Sequence, residues 1–326
     1  MRALVVRPAA AVASTAAQQG TTPRRDPTVG AGPRDDRVTS SPYLRCGRFS
    51  LTRARPLVMG ILNVTPDSFS DGGRYVDRDR ALAHARRMRD DGADLIDVGG
   101  ESTRPGATPV TEAEELARVL PIVEALAADG IAVAVDTRKP AVMRAAIAAG
   151  AAMINDVGAL TAPGAIDVCA QSEVGVCLMH MQREPRTMQA APVYGDVVAD
   201  VRAFLVARAR ACEAAGIARE RIAIDPGFGF GKTLAHNLAL LRSIGTFAAT
   251  GYPVVAGLSR KASLGEITGR GVDERMPASL AAALAAVVRG AAIVRVHDVR
   301  ETVDALKVWC AIEGTAVRAM SNPAPT

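Results

Sequence analysis

The sequence predicts an α/β protein: a TIM-type (β/α)8 barrel in a single domain, preceded by a disordered N-terminal extension. Three observations predict it. After residue 56 the chain repeats a strand, loop and helix unit eight times, each strand is a short aliphatic run of the kind buried on both faces of a parallel sheet, and polar residues recur at the strand ends. A chain of 326 residues, 49% of them apolar, is long enough to bury such a core in one domain. An open doubly wound sheet is the competing architecture for the same alternation.

The elements follow in order. Residues 1–54 are rich in Ala, Arg, Pro, Gly and Thr with no sustained period, a composition that buries too little apolar surface to order a chain. Structure is expected from Leu57, with a barrel domain over residues 55–315 and a tail over 316–326. Aliphatic runs place strands at 57–63, 95–99, 131–136, 153–157, 174–180, 222–225, 253–257 and 293–296. Ala, Leu and Arg at helical spacing place helices at 77–91, 111–129, 140–149, 196–215, 276–289 and 301–310.

Composition excludes several function classes. The formal charge of +5 comes largely from the first 55 residues, and with 3% aromatic residues there are no ring platforms among basic residues, so no nucleic-acid partner is expected. No apolar run reaches the roughly 20 residues of a membrane span. Five cysteines, an odd number with no C-x-x-C pair, point to reduced thiols in a cytoplasmic protein.

Asn63, Glu101, Asp136, Asn155, His180, Asp225, Lys261 and His297 all fall at or just past the carboxyl ends of the expected strands. In a barrel these ends converge on one mouth. A lone aspartate there would cap the next helix, but that role does not call for amides, a lysine and imidazoles. Asp136, Asn155 and Asp225, with no cation matched to all three, suit the adjacent N–H donors of a 2-amino-4-oxo pyrimidine edge; a carboxylate-bound metal is the competing reading. DPGFGFGKT, residues 225–233, misses the phosphate-loop frame because Pro226 stands where the first glycine is required. Its glycines instead let the backbone pass close to a flat ligand beside Phe228 or Phe230, or form a tight turn. Arg295 and His297 alternate along the last strand and form a candidate anion site, with an ion pair to Asp298 as the alternative. NVTPDSFSDGG (63–73) and GGESTRPGA (99–107) have the composition of ligand-covering loops.

These segments, with DTRKP (136–140), IND (154–156), MHMQ around His180, GLSRK (257–261) and RVHDV (295–299), resemble the dihydropteroate synthase family in content and order from about Pro56 to Trp309. The resemblance implies a transferase of folate biosynthesis, a sulfonamide target that condenses 6-hydroxymethyl-7,8-dihydropterin diphosphate with p-aminobenzoate. It implies a pterin site of Asp136, Asn155, Met179, Asp225, Phe228 and Lys261, and a p-aminobenzoate site of Phe69, Thr103, Arg104, Pro105 and Ser259. Asn63 would contact magnesium and, with Arg295 and His297, the diphosphate; Lys261, Arg295, His297 and Asp136 would be catalytic. A homodimer is implied as well. The chain departs from the family pattern at Ala262, where a serine is frequent, and at Arg183, where glycine is common and only a change of loop charge is expected. Folate-dependent methyltransferases share the barrel but are expected to lack SRK, RVHD and the Phe69 loop, and a non-catalytic pterin-binding paralogue would be expected to lose its loop residues first.

Overall fold

The structure, a computed structural model, describes residues 41–64, 74–103, 106–183, 187–189 and 192–314. Eight parallel strands form the barrel: β3 (Leu57–Asn63), β4 (Leu95–Gly99), β5 (Val133–Asp136), β6 (Met153–Asp156), β7 (Gly175–Met179), β8 (Ile222–Asp225), β9 (Val255–Ala256) and β10 (Ile293–Val296). Before them lie β1 (Tyr43–Cys46) and β2 (Phe49–Thr52). The sheet runs β8-β7-β6-β5-β4-β3-β10-β9, and a parallel bridge between Ile224 and Val254 closes β8 onto β9. The competing open sheet is thereby ruled out.

Helices α1 (Arg74–Asp90), α2 (Glu112–Ala128), α3 (Pro140–Ala148), α4 (Ala165–Ala170), α5 (Val197–Ala214), α6 (Leu234–Arg242), α7 (Ile244–Ala248), α8 (Ala262–Thr268), α9 (Met276–Val288) and α10 (Val299–Ile312) connect the strands. Their starts have local causes. Thr111 and Glu114 form a capping box on α2, Pro140 opens α3, where its missing N–H costs nothing, and Asp196 accepts two N–H groups of α5. On α2 the buried Glu115, Val119, Ile122, Val123 and Leu126 make one stripe facing the sheet. Among the described residues no helix is long and apolar enough to cross a membrane.

Strand parity divides the core in two. Val58, Ile96, Val133, Val135, Ile154, Val176, Ile224 and Val294 face outward and pack under the helices. Leu57, Met59, Leu95, Ala134, Met153, Cys177, Ala223, Val255 and Ile293 form a separate cluster inside the barrel. Side chains alternate along a strand, so the next inward positions toward the carboxyl ends are Asp97, Asp136, Asn155, Met179, Asp225, Gly257 and Arg295. The inward face is therefore apolar at the base and largely polar at the mouth.

The composition of residues 1–54 predicts no structure before Leu57, and here the structure corrects it. β1 and β2 pair as an antiparallel hairpin whose Leu44, Cys46 and Leu51 join the inner cluster, so the hairpin covers the base of the barrel. Gly175 is small enough to admit it: a methyl group there would lie 2.8 Å from Cys46 Sγ. Four-residue strands carry too little periodicity to stand out beside an Arg- and Pro-rich stretch, and their apolar side is useful only once an open barrel end exists. Just above, Arg55 forks onto Asp94 through bonds of 2.8 and 2.6 Å, and Asp94 also accepts the Val58 N–H, which ties the start of β3 to the start of β4. The expected tail, residues 316–326, lies outside the described residues.

Leu44 is fully buried in the hairpin and distant from the strand ends that carry the polar residues. Leu44→Ala is expected to cost about 2–5 kcal/mol of stability in denaturant titration, as large-to-small core changes do, with ligand affinity of the folded protein unchanged.

Candidate active site

Register builds the site. Asn63 pairs with Gly99, Gly99 with Asp136 and Asp136 with Asn155, so four adjacent strands present one row at the mouth. Gly99 is the gap in that row: a methyl group on it would stand 3.7 Å from Asn63 Oδ1 and 3.6 Å from Asp136 Cβ. On the next strands Met179 pairs with Asp225.

Asp136, Asn155, Val157, Met179, Asp225, Phe228, Phe230, Gly257, Lys261 and Arg295 line a recess at the mouth of the barrel. All six residues of the expected pterin set lie in this lining. Among the other candidates, Asn63 stands beside Gly99 at the mouth and Thr103 is half-buried on the loop after β4. Phe69, Arg104 and Pro105 lie outside the described residues. Ser259 is buried, and its hydroxyl accepts the His297 backbone N–H at 3.1 Å and lies 3.0 Å from His297 Nδ1.

Of the three residues read from sequence as lacking a cation matched to all of them, Asp136 does have one, which it shares with Asp97. Arg295 donates from Nε to Asp97 Oδ2 at 2.6 Å and from Nη2 to Asp136 Oδ2 at 3.2 Å. Asn155 Nδ2 donates to the same Asp97 oxygen at 3.0 Å. Asp97 is fully buried and has no counterpart among the sequence candidates. A charged residue in mid-strand at an inward position is the signal that would have found it, because such a group needs a partner inside the barrel. The alternative ion pair between Arg295 and Asp298 does not form; Asp298 takes a two-pronged contact from Arg260 instead.

This packing of charges sets the protonation states. Burial, reinforced by the nearby Asp97 charge, pushes the Asp136 carboxyl up to about 7 against the pull of Arg295. Burial also raises Asp225, although the Gly227 N–H bonds its Oδ1 at 2.7 Å. Burial and repulsion from Arg295 bring the Lys261 ammonium down to about 8, and Phe230 offers it a ring face 4.2 Å away. His297 is held down to about 4 by burial, Arg295 and Arg260, so its imidazole is neutral at pH 7.

The loop after β8 carries the flat wall of the cavity. Gly227 has φ +71°, and a methyl group on it would collide with the His180 carbonyl oxygen. Lys232 anchors the loop from behind: its buried Nζ bonds the Phe230 carbonyl at 2.9 Å, the His180 carbonyl at 3.2 Å and His180 Nδ1 at 3.0 Å. His180, a strand-end candidate, is thus occupied outside the cavity lining, and Glu101 likewise bonds Lys139. Among the described residues four non-glycine positions, all on loops after barrel strands, take the left-handed backbone conformation: Ala159 and Leu160 after β6, Arg183 after β7 and Arg260 after β9. Arg260 does so at φ 56°, held by its Asp298 contact and by a 2.9 Å bond from its N–H to Ser279. Arg183 does so at φ 64°, which explains why glycine suits that position and corrects the expectation that only loop charge changes there.

Among the described residues no group of three His, Cys, Asp or Glu side chains forms a metal site. The amide oxygen of Asn63 is nevertheless a hard neutral donor at the mouth, and it fits a magnesium ion held mainly by phosphate oxygens and water.

Fold and site together define a barrel enzyme with a polar-lined recess at the carboxyl ends of its strands. The model of the family described as pterin binding enzyme matches residues 59–297. A dihydropteroate synthase of Neisseria meningitidis serogroup B is 52% identical over 275 residues, covering 82% of this chain and 96% of the relative. A Xanthomonas albilineans dihydropteroate synthase solved with 4-aminobenzoic acid is 54% identical with a TM-score of 0.79, covering 84% of this chain and all of that one. A Burkholderia cenocepacia dihydropteroate synthase complexed with 7,8-dihydropteroate is 56% identical with a TM-score of 0.77, covering 85% and 98%. The chain belongs to the dihydropteroate synthase family of pterin-binding enzymes.

Burial holds the Asp136 carboxyl up to about 7 in the folded protein, against an ordinary aspartate value of 3.8. The folded state therefore holds the proton more tightly, and the stability this contributes is complete below about pH 4 and lost as pH rises to about 7. Denaturant titrations of wild type and Asp136→Asn are expected to show wild type losing ground to the variant across that window and no further above it. A difference independent of pH would place the raised carboxyl elsewhere.

Proposed function

We propose that this protein acts as a dihydropteroate synthase, joining the pterinylmethyl group of 6-hydroxymethyl-7,8-dihydropterin diphosphate to p-aminobenzoate with release of 7,8-dihydropteroate and diphosphate. The observation that carries the reading is the convergence of Asp136, Asn155, Asp225 and Lys261 on one recess at the barrel mouth. Family membership supports it, as do the product and 4-aminobenzoic acid named with two solved relatives.

In this reading the pterin enters edge first. Its 2-amino and ring N–H groups donate to Asp136 or Asp225, Asn155 serves as mixed donor and acceptor, and Lys261 donates to a ring acceptor. Met179, Phe228 and Phe230 cover the ring faces. The exocyclic methylene then points to the mouth, toward Asn63 and His297. Asn63 would help hold a magnesium ion, which when bound would neutralise charge on the diphosphate oxygens.

The bond between the methylene carbon and the diphosphate oxygen breaks as the amine nitrogen of p-aminobenzoate bonds the same carbon. The electron-rich pterin tolerates the positive charge that develops there, and the amine proton passes to solvent or to the departing anion. An arylamine is neutral at pH 7, so no strong base is required. Neutral His297 contributes hydrogen bonding rather than charge. Arg295 contributes charge already shared with Asp97 and Asp136, so its role is to hold the cavity's carboxylates as much as to meet the diphosphate. Thr103, with Phe69, Arg104, Pro105 and Ser259, makes up the p-aminobenzoate site in this reading.

Homodimerisation belongs to the same proposal, supported by exposed Val288, Val308 and Ile312 on α9 and α10, and light scattering tests it. A cytoplasmic location is supported by five cysteines that are buried and unpaired.

Diphosphate release is expected only when pterin diphosphate, p-aminobenzoate and magnesium are all present; pterin binding without release under those conditions would refute the reading. Lys261→Ala and Asp136→Ala are each expected to lower kcat/KM by about a hundredfold or more in a coupled diphosphate assay, with far-UV circular dichroism unchanged.

A further inference from the structure

Outside the cavity, a second charged cluster joins three elements. Lys139 lies on the β5–α3 connection, three residues beyond Asp136, and its Nζ is 2.5 Å from Glu101 Oε2 and 2.5 Å from Glu115 Oε2. Glu115 is fully buried on the inner stripe of α2. Glu101 stands on the loop that leaves β4, two residues ahead of Thr103. The same loop is tied a second time where Arg118 of α2 donates to the Gly100 carbonyl at 2.9 Å. It is also packed tightly, since a methyl group on Gly100 would come within 2.7 Å of Val119 Cγ2.

Stability alone is a weak reason for this cluster. One ammonium between two carboxylates leaves an excess negative charge largely removed from water, and buried ionic groups of this kind rarely outperform apolar packing. What they supply is a defined geometry: Lys139 sets the distance from the strand end that carries Asp136 to the loop that carries Thr103. No other described side chain is hydrogen-bonded to both Glu101 and Glu115.

We propose that Lys139, bridging Glu101 and Glu115, is a positioning residue for p-aminobenzoate: it fixes residues 101–103 where the second substrate docks, without touching either substrate. The proposal rests on the reading under Proposed function, because the substrate it concerns is the one assigned there. It separates the two substrates, since the pterin cavity is built from the inward strand row and does not include the cluster.

The test compares wild type with Lys139→Met, Lys139→Arg and Glu101→Gln. Glu101→Gln leaves the Lys139–Glu115 contact in place and guards against misfolding of the lysine variant. Lys139→Met and Glu101→Gln are expected to raise KM for p-aminobenzoate about tenfold, leaving kcat and the Kd of 6-hydroxymethylpterin within about twofold, and Lys139→Arg is expected to recover part of the loss. Equal effects on both substrates, or a lowered melting temperature with unchanged KM, would overturn it. Hydrogen exchange at Gly100–Thr103 keeps this outcome separate from the assignment of function. Faster exchange in both variants supports the anchor even if wild type fails to turn over, in which case the assigned reaction falls. Unchanged exchange removes the anchor whatever the activity.

Discussion

Closure of the eight strands is the constraint on which the rest of the structure depends. Once the sheet is closed, every second side chain points into a space a few side chains wide, where each polar group must find its partner on another strand. The base of that space meets the requirement with Leu, Met, Ala and Val, sealed by the hairpin. The mouth meets it with charge. Asp97, Asp136 and Asp225 stand against Arg295 and Lys261, with Arg295 on β10 reaching past β3 to carboxylates on β4 and β5.

The same confinement prepares the site for a neutral ring. Burial moves Asp136 up to about 7 and Lys261 down to about 8, both near the working range, while Arg295 stays charged between Asp97 and Asp136. A cavity in that state exchanges hydrogen bonds with a heterocycle at little electrostatic cost. Rigid supports stand behind it: Lys232 pins the glycine loop to the end of β7, and the contacts from Ser259 to His297 and Arg260 to Asp298 join the last two barrel loops. The family resemblance implies a substrate contact for Ser259, and its bond to His297 gives it a supporting place as well.

Much of this was legible in the sequence, for identifiable reasons. Strand ends were visible because an aliphatic run stopping at Asn63, Asp136, Asn155 or Asp225 is a sharp change of chemistry. The eightfold count followed from it. Short helices such as α4 and α7 are too brief to express a period in the sequence. Partnerships were hidden altogether. Asp97 and Arg295 stand 198 positions apart, and neither Lys139 nor Lys232 differs in sequence from a solvated lysine. Local pattern reveals which side chains face inward; only closure of the sheet reveals whom they meet.

That closure has a consequence for how the chain reaches its folded state. β3, the first strand of the barrel, lies between β4 and β10, the last. During synthesis it therefore keeps one unpaired edge until almost the whole domain has left the ribosome, with half-made walls open to water and to other chains. The rate of folding is then governed by a long-range pairing rather than by the quick helices, and the growing chain presents the kind of surface on which chaperones act.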